Sequence, residues 1–381
     1  MQPSHQHPTH PGLMAGGAFA GDPAPATGAA AEIAAAVQRL LNRAVADGIA
    51  PAASCVVVLD GAPLPVLTAG AAVPEAFFDL ASVTKLFSTV TALSLVDDGI
   101  LELDAPIGGL LAPYRHGEKA AITLRHLLTH TSGLPSEWRG WKTALDEGRP
   151  FDRAALLEDL LGTPLEAAPG TRFAYSCAGF NTLMALAELA TGQAWAELVG
   201  DRVLARLDTD GITGTPPLER CAPTEYQPEL GRGLVRGIVH DEAAWSLGGL
   251  SGNAGMFATA AGLAVFGEVL RTGLPGILSP ALVAEMWRSQ LPGMLGSHFD
   301  PTEPGFGQGL GVRINQQPWM GTQGTEARGH GGFTGTSLLV DRSRNVTVAL
   351  LSNRVSPSRD GDDATGLCKA VSDVVYSGAT S

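Results

Sequence analysis

Apolar residues recur every three to four positions from 32 to 47, where Ile33, Val37, Leu40 and Ala44 share one face of a helix and Gly48 is placed to end it. The period then changes. Residues 53–59 and 65–69 are short β-rich runs, separated by the turn signal Asp60-Gly61-Ala62-Pro63. Helical spacing returns from 82 to 96, with Leu86, Val90 and Leu93 aligned and Asp97-Asp98-Gly99 as the stop. Further on, helical stretches at 124–129, 154–161, 179–190 and 260–270 alternate with loops rich in Gly and Pro. Residues 333–341 and 345–351 are apolar and β-branched, and Arg342-Ser343-Arg344 joins them as a hairpin. A closing helix is expected over 361–376, and no internal repeat is present.

Strand signals therefore sit at both ends of the chain, with helices between them. An α+β fold satisfies this pattern: one antiparallel sheet built from both ends, flanked by helices, with a mainly helical domain inserted. The expected divisions are a disordered leader (1–26), a discontinuous α/β domain (27–100 and 300–381) and the insertion (101–299). The 381 residues suit two domains of about 150 each. With 45% hydrophobic and 17% charged residues, a sizeable core is expected and wholesale disorder is not.

A net charge of −13 argues against nucleic acid or an anionic membrane surface as partner, since both require a basic face. Cys55, Cys177, Cys221 and Cys368 form no C-x-x-C pair, which disfavours zinc-knuckle and thioredoxin chemistry. A chain of this length folds without staples, so mostly free thiols are expected. Residues 1–26 are rich in His, Pro, Gly and Ala, and no Lys or Arg precedes Arg39. The apolar run at 12–20 is short for a secretory signal, and no stretch reaches the roughly 18 apolar residues of a membrane span. A cytoplasmic location is the resulting expectation. His5, His7 and His10 read as part of a solvated leader rather than as a metal-binding tail.

Lysine occurs only at 85, 119, 142 and 369, which gives weight to any lysine motif. Ser82 and Lys85 stand three residues apart at a helix start, so their Cβ atoms would lie about 5–6 Å apart. A serine hydroxyl is a weak nucleophile until a neighbouring base takes its proton. A lysine serves as that base if burial or nearby positive charge brings its pKa down toward about 7–8. The helix N-terminus adds backbone N–H groups where an oxyanion would form. Taken alone, a four-residue motif also reads as a capping serine beside a solvated lysine.

Four segments in order change that balance. Residues 78–85, Leu127-Leu128-Thr129-His130-Thr131-Ser132-Gly133-Leu134, residues 169–176 and His330-Gly331-Gly332-Phe333-Thr334-Gly335 together resemble the β-lactamase-related family. This family includes class C β-lactamases, DD-peptidases, D-aminopeptidases and family VIII esterases. The resemblance covers residues 30 to 360. It implies Ser82 as nucleophile, Lys85 as base and Tyr175 as the group handing the proton to the leaving group. It also implies oxyanion donors at the backbone N–H of Ser82 and Phe333, and no metal or cofactor.

Two departures bear on substrate. The family's Tyr-x-Asn is Tyr175-Ser176-Cys177 here, and a thiol donates and accepts hydrogen bonds poorly beside an amide. The Lys-Thr-Gly of β-lactamases is His330-Gly331-Gly332, where His330 would offer a hydrogen bond or, if protonated, a charge, and the glycines would let substrate lie along the strand edge. Ester and small-amide hydrolysis is therefore expected to exceed β-lactam turnover. A peptidase or amidase acting on D-amino-acid or muropeptide fragments stays open, as does a sensor that is acylated once by a β-lactam or wall fragment. Oligomeric state is not legible.

Other signals are weaker. His126 and His130 have zinc-protease spacing, but Leu127 stands where the required Glu would be. No G-x-S-x-G, Ser-Asp-Asn, Lys-Thr-Gly or P-loop occurs. The runs at 237–242 and 248–255 resemble a bacterial branch of the same family. Within the first, His240 and Asp241 read as a structural hydrogen bond or an oriented imidazole. Trp138 and Trp141 would line the cleft mouth or pack the insertion.

Overall fold

A computed structural model describes residues 28–378, so the leader and its three histidines lie outside the described residues. The first helix, Ala29–Ala46, buries Ile33, Val37, Leu41 and Ala44 along one stripe. The strand that follows, Ala52–Leu59, is buried along almost its whole length because a core covers each of its faces, and both its edges are paired. On one side it runs antiparallel to Val346–Ser352, from Ala53 opposite Ser352 to Leu59 opposite Val346. On the other it meets Ala62–Pro63 and Leu67–Gly70. The sheet continues from Val346–Ser352 through Thr336–Asp341, Arg328–Gly332, Arg313–Ile314 and Gly307–Gln308, eight strands in all. Every pairing is antiparallel.

The alternation of side chains along each strand divides the core in two. Cys55, Val57, Leu339, Val348 and Leu350 face Ala29–Ala46 and the C-terminal helix Thr365–Gly378, against Val37, Val371 and Tyr376. Val56, Val58, Leu338, Val340, Ala349 and Leu351 face the larger core, which takes in Phe87, Phe266 and the apolar residues of the middle of the chain. Phe87 and Phe266 stack there with centroids 3.9 Å apart.

Two elements differ from expectation. The helix expected from 82 begins as a 3-10 turn, Ala81–Val83, and turns α-helical only at Thr84–Asp97. It is buried on every side from Thr84 to Leu95, not on one stripe. Its polar residues are accommodated by bonds to carbonyls: Ser88 Oγ to Gly252 (2.7 Å), Thr89 Oγ1 to Lys85 (2.8 Å) and Thr91 Oγ1 to Phe87 (2.9 Å). The run at 333–341 is not one strand. Residues 333–335 form a turn after Arg328–Gly332, closed by the Gly335 N–H donating to Gly332 O (3.0 Å). Gly335 takes φ +98°, which a side chain would resist, and Thr336–Asp341 runs back alongside. Among the described residues, no helix is long and apolar enough to cross a membrane.

Candidate active site

Ser82 is presented by a strained turn that its surroundings hold in place. Ala81 sits at φ +45°, a conformation L-residues resist. The buried Asp79 carboxylate accepts the Ala81 N–H (2.8 Å) and the His240 N–H (2.6 Å) and so fixes the turn. Burial raises the Asp79 pKa despite those two bonds. One turn on from Ser82, Lys85 is fully buried, and its Nζ lies 3.1 Å from Ser82 Oγ, 3.4 Å from Cys177 Sγ and 3.1 Å from Asn253 O. The Tyr175 hydroxyl donates to Ser82 Oγ at 2.8 Å. Tyr175 reaches this point because the chain turns into the helix Cys177–Thr191 immediately after it. Ser176 caps that helix, accepting from the Gly179 N–H (2.9 Å) and donating to Pro135 O (2.6 Å).

Burial disfavours the Lys85 ammonium, while anionic forms of Cys177 and Tyr175 favour it, and with those anions present the lysine pKa lies above its ordinary value. With thiol and phenol protonated, desolvation is opposed only by the more weakly acting Asp241, and that is the condition under which Lys85 gives up its proton. Burial likewise raises the Tyr175 pKa, opposed by the charge of Lys85.

The strand from the far end of the chain closes against this turn. Thr334 Oγ1 donates to Asp79 O (2.7 Å), and Thr336 Oγ1 donates to Leu80 O (3.0 Å). A Cβ on Gly332 would lie 2.5 Å from Leu80 O, so glycine permits the contact. Ser82, Tyr175, His330, Gly331, Gly332 and Phe333 thus line one cavity of about 410 Å³. Phe333 is half exposed at its mouth. Within it, His330 Nδ1–H donates to Gly331 O (2.7 Å), which leaves Nε2 as a buried acceptor without a partner. Burial, reinforced by Arg313 and Lys85, holds the His330 pKa well below the usual histidine range. The protonated form, one of the two expected readings, is therefore disfavoured, and Nε2 is held as a neutral, buried acceptor.

The Beta-lactamase family profile matches residues 37–370. The chain belongs to that family. Among its relatives, esterase EstB of Burkholderia gladioli is 31% identical over 338 residues, 79% of this chain and 82% of its own. The N-acetylmuramyl-L-alanine amidase of Bacillus subtilis is 29% identical over 310 residues, 73% of this chain and 68% of its own. The solved structure of EstCE1, described as a hydrolase with promiscuous acyltransferase activity, shares the fold, with a TM-score of 0.70 and 24% identity over 91% of this chain and 99% of that one.

Several side chains of this β-lactamase-family site carried no motif. Arg313 is buried, with its guanidinium carbon 4.7 Å from the Tyr175 ring centroid. Burial brings its pKa down to about 10. Asn253, whose carbonyl receives Lys85, lies in the 248–255 run, so that resemblance was the available signal. A second cavity, about 300 Å³, is lined by Cys177, Trp138, Trp141, Asn181, Asp241 and Asn253 among others. Trp138 packs the core, its Nε1–H donating to Asp159 (2.6 Å), and lines this second cavity rather than the one that holds Ser82. His240 Nε2 pairs with Glu225 (2.9 Å), whereas Asp241 caps the helix Glu242–Ser246 and accepts from Asn253 Nδ2 (3.0 Å). His126 Nδ1 bonds Thr123 at the start of its helix, and His130 Nδ1 accepts from the Ser176 N–H (3.1 Å). Among the described residues, no group of three or more candidate metal ligands assembles.

Proposed function

We propose that this β-lactamase-family protein is a serine hydrolase that cleaves ester or amide bonds through an acyl-enzyme on Ser82. The observation that carries the reading is Ser82 Oγ held between Lys85 Nζ at 3.1 Å and the Tyr175 hydroxyl at 2.8 Å, on the wall of a cavity of about 410 Å³. Ser82 Oγ attacks the carbonyl carbon as neutral Lys85 takes its proton. The oxyanion is received by the backbone N–H groups of Ser82 and Phe333. Tyr175 passes a proton to the leaving oxygen or nitrogen, and water then releases the acyl group. The same reading treats 27–100 with 300–381 as one discontinuous unit carrying the inserted 101–299, a division supported by the pairing of Ala52–Leu59 with Val346–Ser352.

Fluorophosphonate labelling followed by peptide mapping tests the nucleophile. Label on Ser82, absent from Ser82→Ala together with a loss of about 10⁴-fold or more in kcat, is expected; label elsewhere overturns the assignment. Cys177 in place of an amide and the neutral His330 favour short esters over β-lactams. Rapid nitrocefin turnover beside negligible p-nitrophenyl ester cleavage would contradict that preference.

A specific observation favours the peptidase reading as a second candidate. Arg313 and Arg354 line the same cavity as Ser82. Arg313 bonds Gln308 Oε1, and Arg354 bonds the Phe333 and Arg359 carbonyls, so neither is paired with a carboxylate among the described residues. A substrate with a free carboxylate near the scissile bond would supply that partner. Mass spectrometry of peptides ending in D-amino acids, with and without C-terminal amidation, separates the two; equal cleavage of both forms excludes a carboxylate requirement.

A further inference from the structure

The four thiols are not alike. Cys55, Cys221 and Cys368 are buried in the packed interior, and burial pushes the last two up to about 11. Cys177 is half-buried and opens onto the cavity of about 300 Å³. It is the first residue of the fifteen-residue helix Cys177–Thr191, and its Sγ lies 3.4 Å from Lys85 Nζ. A helix N-terminus and an adjacent ammonium are the two surroundings in which an anionic sulfur finds partners.

A second observation at the same cavity is independent of the thiol. Asn181, one helical turn beyond Cys177, is 1% exposed and lines this cavity. Its Oδ1 accepts the Asn253 N–H at 3.1 Å, which identifies the other end as the amine, and that Nδ2 is buried with no hydrogen-bond partner. A buried donor without an acceptor is destabilising, because it has given up its bond to water and gained none in return. The lining shared with Cys177 thus holds an unpaired donor, and an oxygen added within its reach would supply the missing acceptor.

We propose that Cys177 is a site of reversible oxidation by hydroperoxides, and that the sulfenic acid formed there silences Ser82. The sulfur, as thiolate, attacks the terminal oxygen of the hydroperoxide. An S–O bond forms, the O–O bond breaks, and the remaining alkoxide or hydroxide leaves with a proton from the Lys85 ammonium. Sulfur loses two electrons and the peroxide gains them. The new S–OH is acidic beside the amine just formed and returns a proton to it. Lys85 then stays an ammonium paired with sulfenate, with no lone pair for the Ser82 hydroxyl, while Asn181 Nδ2 donates to the new oxygen. An external thiol reverses the change by displacing that oxygen as water through a mixed disulfide, which a second thiol then reduces. The silencing half of the proposal rests on the serine-hydrolase reading; the modification half does not.

The test treats the full chain with hydrogen peroxide. One aliquot is trapped with dimedone for peptide mapping, and another is assayed for ester hydrolysis before and after dithiothreitol. The expected result is a dimedone adduct on Cys177, with Cys55, Cys221 and Cys368 unmodified. Activity should fall by about 10²-fold, the scale of losing a positioned base, and dithiothreitol should restore it. In Cys177→Ser, whatever its own rate, the rate should no longer respond to peroxide. No adduct, or an adduct on a different cysteine, overturns the site. An adduct on Cys177 with hydrolysis intact, or a loss that dithiothreitol does not reverse, overturns the silencing and leaves the hydrolase reading standing. Absence of hydrolysis in untreated protein sinks the hydrolase reading and leaves the mapped adduct as evidence for the site.

Discussion

Tyr175 bonds the Ser82 hydroxyl directly, and no other phenol among the described residues reaches it. Tyr175→Phe keeps the ring between Lys85, Arg313 and His130 but removes the proton carrier. We expect kcat to fall by about 10²–10⁴-fold with the circular dichroism spectrum unchanged; near-normal turnover would remove Tyr175 from the proton path. Gly332 offers a second test, because an added Cβ would lie 2.3 Å from Thr336 Oγ1 and 2.5 Å from Leu80 O. Gly332→Ala should force strand and nucleophile turn apart and cost about 1–3 kcal/mol of stability. It should also cost up to about 10²-fold in kcat/KM, since a 1 Å displacement can remove that much. A variant that loses stability alone would show that the strand does not position Ser82. At this scale the sequence was informative where chemistry needs a fixed spacing, as between Ser82 and Lys85. Arg313 was illegible because its place under Tyr175 comes from tertiary packing 138 residues away in the chain, and no local pattern marks it.

The helix expected at 179–190 runs Cys177–Thr191, extended at both ends by local chemistry. Ser176 caps the start of Cys177–Thr191 through its own hydroxyl, and Gly192 closes the end at φ +71°. The start at Ala81–Val83 was misread, since its 3-10 geometry depends on Asp79, two residues before it, tied to His240 and Thr334 from two distant segments. The hairpin turn at 333–335 was hidden for a related reason: the β-branched run continued through it in sequence, and only Gly335 marked the reversal. The cap of Ala260–Arg271 gives a prediction confined to one element. Thr259 Oγ1 accepts the Gly262 N–H at 3.0 Å, at the start of the helix that carries Phe266 into the core. Thr259→Ala should destabilise the fold by about 1 kcal/mol. A urea titration would register a lower midpoint at unchanged slope; no shift would mean the cap is redundant.

For the molecule as a whole, the sheet drawn from both chain ends was foreseeable because 53–59 and 345–351 are both continuous apolar runs. The two-residue strands Gly307–Gln308 and Arg313–Ile314 were not, as two residues carry no period. A buried ionic network ties the parts together. Glu225 pairs with His240 and Arg359, and Arg359 also pairs with Glu242. Burial opposes the Glu225 carboxylate, yet the bonds from His240, Arg359 and Gln227 outweigh it and hold the pKa far below its ordinary 4.5. A depressed carboxylate pKa stabilises the fold above the unfolded value, and that contribution is lost as pH falls toward the folded value. Glu225→Gln should therefore cost about 1–2 kcal/mol at pH 7, since solvent at the partly open Arg359 screens the pair. The gap from wild type should close progressively on acidification below 4.5. Thermal denaturation of both proteins across that range decides it: a gap independent of pH would mean the carboxylate charge is not what stabilises the network.

The pairing of Ala52–Leu59 with Val346–Ser352 has a consequence for how the protein is made. The Ala52 N–H meets its acceptor on Asn353, 301 residues later in the chain. At about 5–20 residues per second, a ribosome needs roughly 15–60 s to cover that interval. Until then one edge of the Ala52–Leu59 strand has no neighbour, and the hydroxyl of Ser82 has no wall from the His330 strand to work against. The reactive centre is therefore completed only after residues 328–352 have been made, and a nascent chain stalled before them should emerge inert and in need of chaperone shelter.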